Sequence, residues 1–142
     1  MREILFRGKR KDNVKWVQGF YALFASNKGL KHGIYTGAEN GCVIPLEVIP
    51  ETIGQFTGLT DRNGERIFEG DIVKEWSSSW KSPLKTEVSI YEVVCEYLGS
   101  LHLIRKTEYG EASTLLYRKS IVEVIGNIYD NPELLENRNE KL

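Results

Sequence analysis

The 142-residue sequence predicts a mainly β protein of short antiparallel strands. Its apolar residues recur mostly with a period of two, whereas the period of 3.6 that marks amphipathic helices is nearly absent. Turn residues, above all Gly and Asn, separate these runs at short intervals. The pattern favours a small barrel-like core, for which an SH3-like arrangement is one candidate, with one short helix at the C-terminus.

The first predicted element is a hairpin. Alternating residues over Glu3–Arg7 and an aromatic-rich run over Val14–Phe24 flank the turn residues Gly8–Asn13. In the second strand of this hairpin, Trp16 and Phe20 share one face because side chains alternate along a strand. Residues 26–41 are rich in Gly, Asn, Lys and Ser, so they predict a loop with room for one short strand.

Two tight turns are predicted in the central segment. The Asn-Gly pair at 63–64 suits the positive φ angles of a type I′ turn, so residues 55–59 and 65–68 are expected to pair. A second turn at 69–70 leads into a further strand. Aspartates at such turns usually accept hydrogen bonds from nearby backbone amides. The predicted turn residues, with those near the end of the last strand, are Asp61, Asn63, Gly64, Gly70, Asp71, Gly126 and Asn127.

The C-terminal half continues the same pattern and ends in the predicted helix. Asn131 and Pro132 suit the start of a helix, and Glu133 complements its dipole. The further strands are predicted over 87–98, 101–105, 114–118 and 121–129.

The length predicts one domain, because a chain of roughly 100 to 200 residues usually forms a single core. We expect three parts within it. These are a basic hairpin and loop region over 1–56, a β-barrel-like part over 57–135 and a frayed tail over 136–142.

Three motifs in order along the chain resemble those of the YopX family of phage and prophage proteins. They are the opening Arg2-Glu3-Ile4-Leu5-Phe6-Arg7, the central Thr57–Gly64 with Glu69-Gly70-Asp71-Ile72-Val73, and the closing Ile125-Gly126-Asn127. The resemblance spans nearly the whole chain. It implies a mostly β architecture and a phage or prophage origin, and it implies no biochemical activity.

Basic residues cluster near the N-terminus. The first 31 residues hold eight Lys and Arg against Glu3 and Asp12, a local charge of +6, which leaves −7 for the other 111 residues. Such a cluster attracts phosphate-bearing partners, and nearby aromatic rings are typical of proteins that bind single-stranded nucleic acid. The simpler alternative is a solvated hairpin whose aromatic rings belong to the core.

Two tryptophans bracket a serine-rich connection over 76–83 and are further candidates. They either anchor this connection on the protein or dock a partner. The full set of candidate binding residues is Arg7, Lys9, Arg10, Lys11, Lys15, Trp16, Trp76 and Trp80.

Motifs that carry catalysis are missing from the sequence. It has no P-loop, dinucleotide-binding or nucleophile-elbow motif, and His32 and His102 are not in metal-binding spacing. The acidic residues Asp61, Glu69 and Asp71 leave metal-assisted hydrolysis as the weakest alternative. We therefore predict a protein that is not an enzyme, with no catalytic residue, no metal ligand and no cofactor.

Composition and uneven charge indicate how such a protein works. No apolar run approaches the roughly 20 residues of a membrane span, and no signal peptide is seen, so we expect a cytoplasmic location in a bacterial host. Cys42 and Cys95 are expected to be reduced. Strand edges, uneven charge and many aromatics favour a phage accessory or regulatory protein that acts by binding, as a homo-oligomer. Further protein or nucleic-acid partners are open, and no membrane partner is expected.

Overall fold

A computed structural model describes residues 3–37, 44–78, 84–96, 100–107, 109–117 and 120–136. Within these residues the chain forms eleven β-strands, one 3-10 turn and one short α-helix. The mainly β class is therefore confirmed. The chain divides into an N-terminal unit, Met1–Gly58, and a C-terminal unit, Leu59–Leu142.

The N-terminal unit is an antiparallel sheet with the strand order β4-β3-β2-β1-β5. Its longest strand, β2, pairs with β1 through its first four residues and with β3 through the rest. The last strand, β5, crosses the boundary between the units and pairs with β6 beyond the next turn. The strands are β1 (Phe6–Lys9), β2 (Trp16–Ser26), β3 (Gly29–Tyr35), β4 (Leu46–Glu47) and β5 (Gly54–Thr60).

Close packing of the backbone shapes this unit. Ile34 and Val48 are buried, and a Cβ at Gly8 would lie 3.1 Å from the Cβ of Val48. A Cβ at Gly19 would lie 2.7 Å from the carbonyl carbon of Tyr35, so only glycine fits at the point where β2 changes partner. The end of β1 is tied to the residues after β4 by a bridge between Arg10 and Val48.

The C-terminal unit is a second antiparallel sheet, with the order β10-β9-β8-β7-β11. Its core is formed by Ile67, Val73, Val93, Leu103, Leu116 and Val122. The elements are β6 (Arg66–Phe68), β7 (Asp71–Ser78), β8 (Thr86–Cys95), β9 (Leu101–Thr107), β10 (Gly110–Leu115), β11 (Val122–Asn127) and α1 (Glu133–Glu136).

Two details differ from the sequence prediction. The described strands form two sheets, and no closed barrel is present among them. The predicted loop after residue 26 contains β3, a strand of seven residues. A tight turn explains this strand, because Gly29 adopts a φ of 101° and the Ser26 hydroxyl donates to its carbonyl at 2.8 Å. Cys42 lies outside the described residues.

The carboxylate of Asp61 holds the central turn of the C-terminal unit. Its Oδ1 accepts the amides of Asn63 at 2.8 Å and Glu65 at 2.9 Å. Its Oδ2 accepts the amide of Val124 in β11 at 3.0 Å. Asp61 is buried. The predicted type I′ turn is wrong, because Gly64 has a positive φ of 81° and Asn63 does not. The turn instead runs from Asp61 to Gly64, whose amide donates to the Asp61 carbonyl at 3.0 Å. One side chain therefore joins a local turn to a strand 63 residues away.

The other turn residues form similar contacts. Asp71 Oδ2 accepts the amide of Phe68 at 2.8 Å, and Gly70 has a φ of 85°. Asn127 Oδ1 accepts the amides of Tyr129 at 3.0 Å and Asp130 at 2.9 Å. A Cβ at Gly126 would overlap the side chain of Asn131, so the chain turns closely from β11 toward α1.

We predict that Asp61→Asn lowers the free energy of unfolding by about 1–3 kcal/mol, because an amide group replaces one accepting oxygen and leaves a buried backbone amide unpaired. Urea denaturation followed by circular dichroism measures this loss. Glu87→Gln is the control, since Glu87 is exposed and the denaturation midpoint of this variant is expected to stay unchanged. Equal stability of Asp61→Asn and the wild type would contradict the role assigned to Asp61.

We also predict a pH-dependent effect of Glu75→Gln. Burial raises the pKa of Glu75 above its usual value of 4.5, so its charged form opposes folding at neutral pH. The variant should therefore have a higher melting temperature than the wild type at pH 7. This advantage should disappear as the pH falls below 4.5.

Thermal denaturation at pH 7 and pH 4 tests this expectation. Glu87→Gln, an exposed position on the neighbouring strand β8, is the control and should show no advantage at either pH. A gain of the same size at both pH values would show that ionisation of Glu75 is not its cause.

Candidate functional site

Five side chains of β1 and β2 lie on one face of the N-terminal sheet. Directly paired residues of neighbouring strands point to the same side, and side chains alternate along each strand. Lys9 pairs with Trp16 and Arg7 pairs with Gln18, and the alternation along β2 adds Phe20. We call these five residues the cationic aromatic face.

Cations of β1 lie against the tryptophan of this face. The guanidinium carbon of Arg7 is 4.7 Å from the centroid of the Trp16 ring, and Lys9 Nζ is 5.7 Å from it. Such cation–π contacts are worth about 0.5–2 kcal/mol each. Trp16 is half-buried, whereas 68% of Phe20 is exposed. The two residues are four positions apart, about 13 Å along an extended strand.

Acidic partners neutralise two of the predicted binding residues. Arg10 donates to both carboxylate oxygens of Asp12, at 2.9 and 2.6 Å. Lys11 and Lys31 both bind Glu47, at 3.3 and 3.0 Å. The hydrogen bond from Arg10 lowers the pKa of Asp12, and that from Lys31, supported by Lys11, lowers the pKa of Glu47. These contacts make Arg10 and Lys11 weaker candidates for binding an anion.

Lys15 remains exposed at the end of the first turn. Its backbone amide donates to Asn13 Oδ1 at 3.0 Å, and its carbonyl accepts the amide of Arg10 at 2.8 Å. Val14 has a φ of 53°, which is rare for a β-branched residue. No carboxylate pairs with the Lys15 side chain within the described part of the chain. Lys15 is therefore an exposed cation that directly precedes Trp16 in the chain.

Trp76 lies in the C-terminal unit, on β7. It is half-buried and pairs with Val88 of β8, and the guanidinium carbon of Arg62 is 4.7 Å from its ring centroid. Sequence reasoning missed Arg62. No sequence signal identifies it, because its position depends on a backbone hydrogen bond to Val122, 60 residues away. Trp80 lies outside the described residues.

The histidines and carboxylates form separate polar contacts. No group of three or more His, Cys, Asp or Glu side chains suited to a metal ion occurs among the described residues. Burial raises the pKa of Glu69, while Asp61 and Asp71 accept backbone amides. His32 Nδ1 lies 2.6 Å from the Tyr21 hydroxyl.

His102 lies among polar side chains on β9, the strand next to the edge strand β10 of the second sheet. Its Nδ1 is 3.3 Å from Ser113 Oγ, and its Nε2 is 3.1 Å from Ser100 Oγ and 3.5 Å from Glu96 Oε2. In a catalytic triad the histidine base has the nucleophile at one ring nitrogen and the orienting acid at the other, each at about 2.6–3.2 Å. Ser113 and Glu96 lie at opposite ring nitrogens of His102, but their distances of 3.3 and 3.5 Å are longer than this range.

We compared the chain with known proteins by sequence and by structure. No curated protein matches the chain in sequence. The crystal structure of protein EF1440 from Enterococcus faecalis is similar at 22% sequence identity and a TM-score of 0.47, over 95% of this chain and 99% of that one. No helix in the described segments is long and apolar enough to cross a membrane. The model of the YopX protein family matches residues 5–136, nearly the whole chain, and the protein therefore belongs to the YopX family.

Proposed function

We propose that this protein acts by binding rather than by catalysis, and that it binds single-stranded nucleic acid on the cationic aromatic face. The exposed ring of Phe20, on the same face as Arg7, Lys9 and Trp16, carries this proposal. An exposed aromatic ring beside cations offers one surface for a base and another for a phosphate. We propose that the protein serves a phage or prophage as an accessory or regulatory protein in the host cytoplasm.

The geometry favours a single strand over a duplex. A base stacks on an aromatic ring at about 1–3 kcal/mol only when its own face is accessible, and bases within a duplex are already stacked on each other. Phe20 projects from the middle of a sheet, where an unpaired base reaches it. Lys9 lies toward the other end of the face and suits a phosphate of the same strand, and Lys15, which directly precedes Trp16 in the chain, adds an exposed positive charge.

The net charges of the two units support placing the nucleic-acid site on the N-terminal unit. The N-terminal unit holds eight basic and five acidic residues, a net charge of +3, whereas the C-terminal unit holds eleven basic and fifteen acidic residues, a net charge of −4. A positive field raises the local concentration of a polyanion and its rate of association. The N-terminal unit therefore attracts a nucleic-acid strand from solution.

We predict that the protein binds a fluorescein-labelled 20-nucleotide oligothymidylate at low salt, as measured by fluorescence anisotropy. Phe20→Ala should weaken binding about 5- to 150-fold through loss of one stacked base, about 1–3 kcal/mol. Lys15→Glu should weaken binding and reduce the slope of log K against log salt by about 0.7 for each lost phosphate contact.

Matched controls separate specific contacts from general effects. Ile44→Ala removes an apolar side chain that is 66% exposed, and Lys28→Glu reverses an exposed charge of the same unit at the other hairpin. Both control proteins should bind the oligonucleotide like the wild type. Absence of binding by the wild type, or an equal loss in the controls, would overturn the proposal.

Self-association is a second proposed property, favoured by apolar side chains at the tip of the β2–β3 hairpin. Leu23 pairs with His32 and Ala25 pairs with Leu30, so Leu23 and Leu30 share one side of the hairpin, and both are exposed. Exposed apolar patches commonly mark protein contacts. The opposite charges of the two units also favour head-to-tail contact between copies. We therefore propose that the protein forms a homo-oligomer.

We predict that sedimentation velocity shows a species larger than the 16.3 kDa monomer. Replacing Leu23 and Leu30 together by Ser should shift the distribution toward monomer. Leu84→Ser is the control, because Leu84 is 99% exposed and lies outside this hairpin. A wild-type protein that stays monomeric at all concentrations would contradict self-association and leave the nucleic-acid proposal intact.

A further inference from the structure

We infer that the C-terminal unit carries a second site for single-stranded nucleic acid, formed by Arg62 and Trp76. The inference rests on the function proposed above and extends it to the C-terminal unit, where the sequence indicated Trp76 but not Arg62. The N-terminal site is the cationic aromatic face, and the second site uses the same two chemical groups on different strands.

Three neighbouring strands place Trp76 in an outward-facing apolar row. Trp76 pairs with Val88 of β8, and its backbone amide donates to the carbonyl of Ile121 at 3.0 Å. Because Val122 pairs with Glu75, Ile121 is opposite Trp76 in the register. Paired residues point to one side, so the three side chains form a row. Val88 and Ile121 are both exposed, which shows that this side of the sheet faces solvent.

Arg62 supplies the charge of this site. Its backbone amide donates to the carbonyl of Val122 at 2.9 Å, which holds the residue next to the start of β11. Its side chain is exposed, and the guanidinium lies over the Trp76 ring. No carboxylate pairs with this guanidinium among the residues that the structure describes. Its N–H donors are thus available to a phosphate, for which the planar guanidinium is well suited.

A comparison with Arg10 shows why ion pairing decides which arginine is a candidate for binding a phosphate. Arg10 donates from Nε and Nη2 to the two carboxylate oxygens of Asp12, at 2.9 and 2.6 Å, and so its charge is already balanced. Arg62 instead lies over an aromatic ring, a contact that leaves its charge uncompensated. A strand that places a phosphate on Arg62 brings a neighbouring base to the apolar row of Val88, Trp76 and Ile121, where stacking and apolar contact hold it.

Two sites of this kind in one chain have a measurable consequence. A short oligonucleotide that fills a single site should bind twice to each chain, once in each unit. The stoichiometry therefore distinguishes the second site from the first without any assumption about the distance between them.

The test is a calorimetric titration at low salt of the full chain with a six-nucleotide oligothymidylate. The wild type should bind two equivalents, and Arg62→Glu should bind one because the lost site weakens more than tenfold. Arg66→Glu is the matched control, since Arg66 is an exposed arginine of the same unit, and it should still bind two. Phe20→Ala with Lys15→Glu should also leave one equivalent, the one at Arg62.

Arg62→Lys adds a variant that keeps the charge and alters the planar group. It should retain two equivalents with weaker affinity at one of them, because lysine lacks the bidentate donors of arginine. Trp76→Phe keeps a ring in the partly buried position and should likewise retain two equivalents. Loss of the second equivalent in Arg66→Glu as well would overturn the assignment to Arg62.

The possible outcomes separate this inference from the proposed function. One equivalent that disappears with Phe20→Ala and Lys15→Glu, and is unaffected by Arg62→Glu, would overturn the second site and support the first. One equivalent that disappears only with Arg62→Glu would support the Arg62 site and overturn the cationic aromatic face. Absence of heat with the wild type would overturn both.

Discussion

The change of partner within β2 is the constraint on which the cationic aromatic face depends. The first residues of β2 pair with β1 and the later ones with β3, and the change falls at Gly19. Any side chain at this position would collide with the carbonyl of Tyr35, so the change of partner requires glycine here. Around this point Ile34 is fully buried, whereas Phe20 remains exposed.

Ion pairing with carboxylates, rather than the number of cations, decides which basic residues are available to an anionic ligand. The N-terminal 31 residues carry a charge of +6, yet Asp12 and Glu47 bind Arg10, Lys11 and Lys31. Exposed ion pairs of this kind are worth little to stability, typically about 0–1 kcal/mol each. Their effect on the proposed binding is larger, because they engage three of the basic side chains that could otherwise meet a phosphate.

The sequence predicted local features well and long-range ones poorly. Period-two alternation identified the strands around the 61–65 turn, because pairing across an Asn-Gly turn needs only neighbouring residues. It did not predict the full length of β3, since a polar, Gly-containing segment becomes a strand only when β2 supplies its partners. Nor did it predict that Lys11 meets Glu47 or that Arg62 meets Trp76. Those contacts depend on hydrogen bonds between distant segments.

The negative charge of the C-terminal unit does not argue against a phosphate site at Arg62. Two of its fifteen acidic residues, Asp61 and Asp71, are buried and accept backbone amides. At physiological salt the Debye length is about 8 Å, so exposed charges beyond the immediate surroundings of Arg62 are largely screened. Asp61 is next to Arg62 in sequence, but its two oxygens already accept amides of Asn63, Glu65 and Val124. The carboxylate that fixes the turn is buried, and within the described residues it forms no ion pair with the neighbouring arginine.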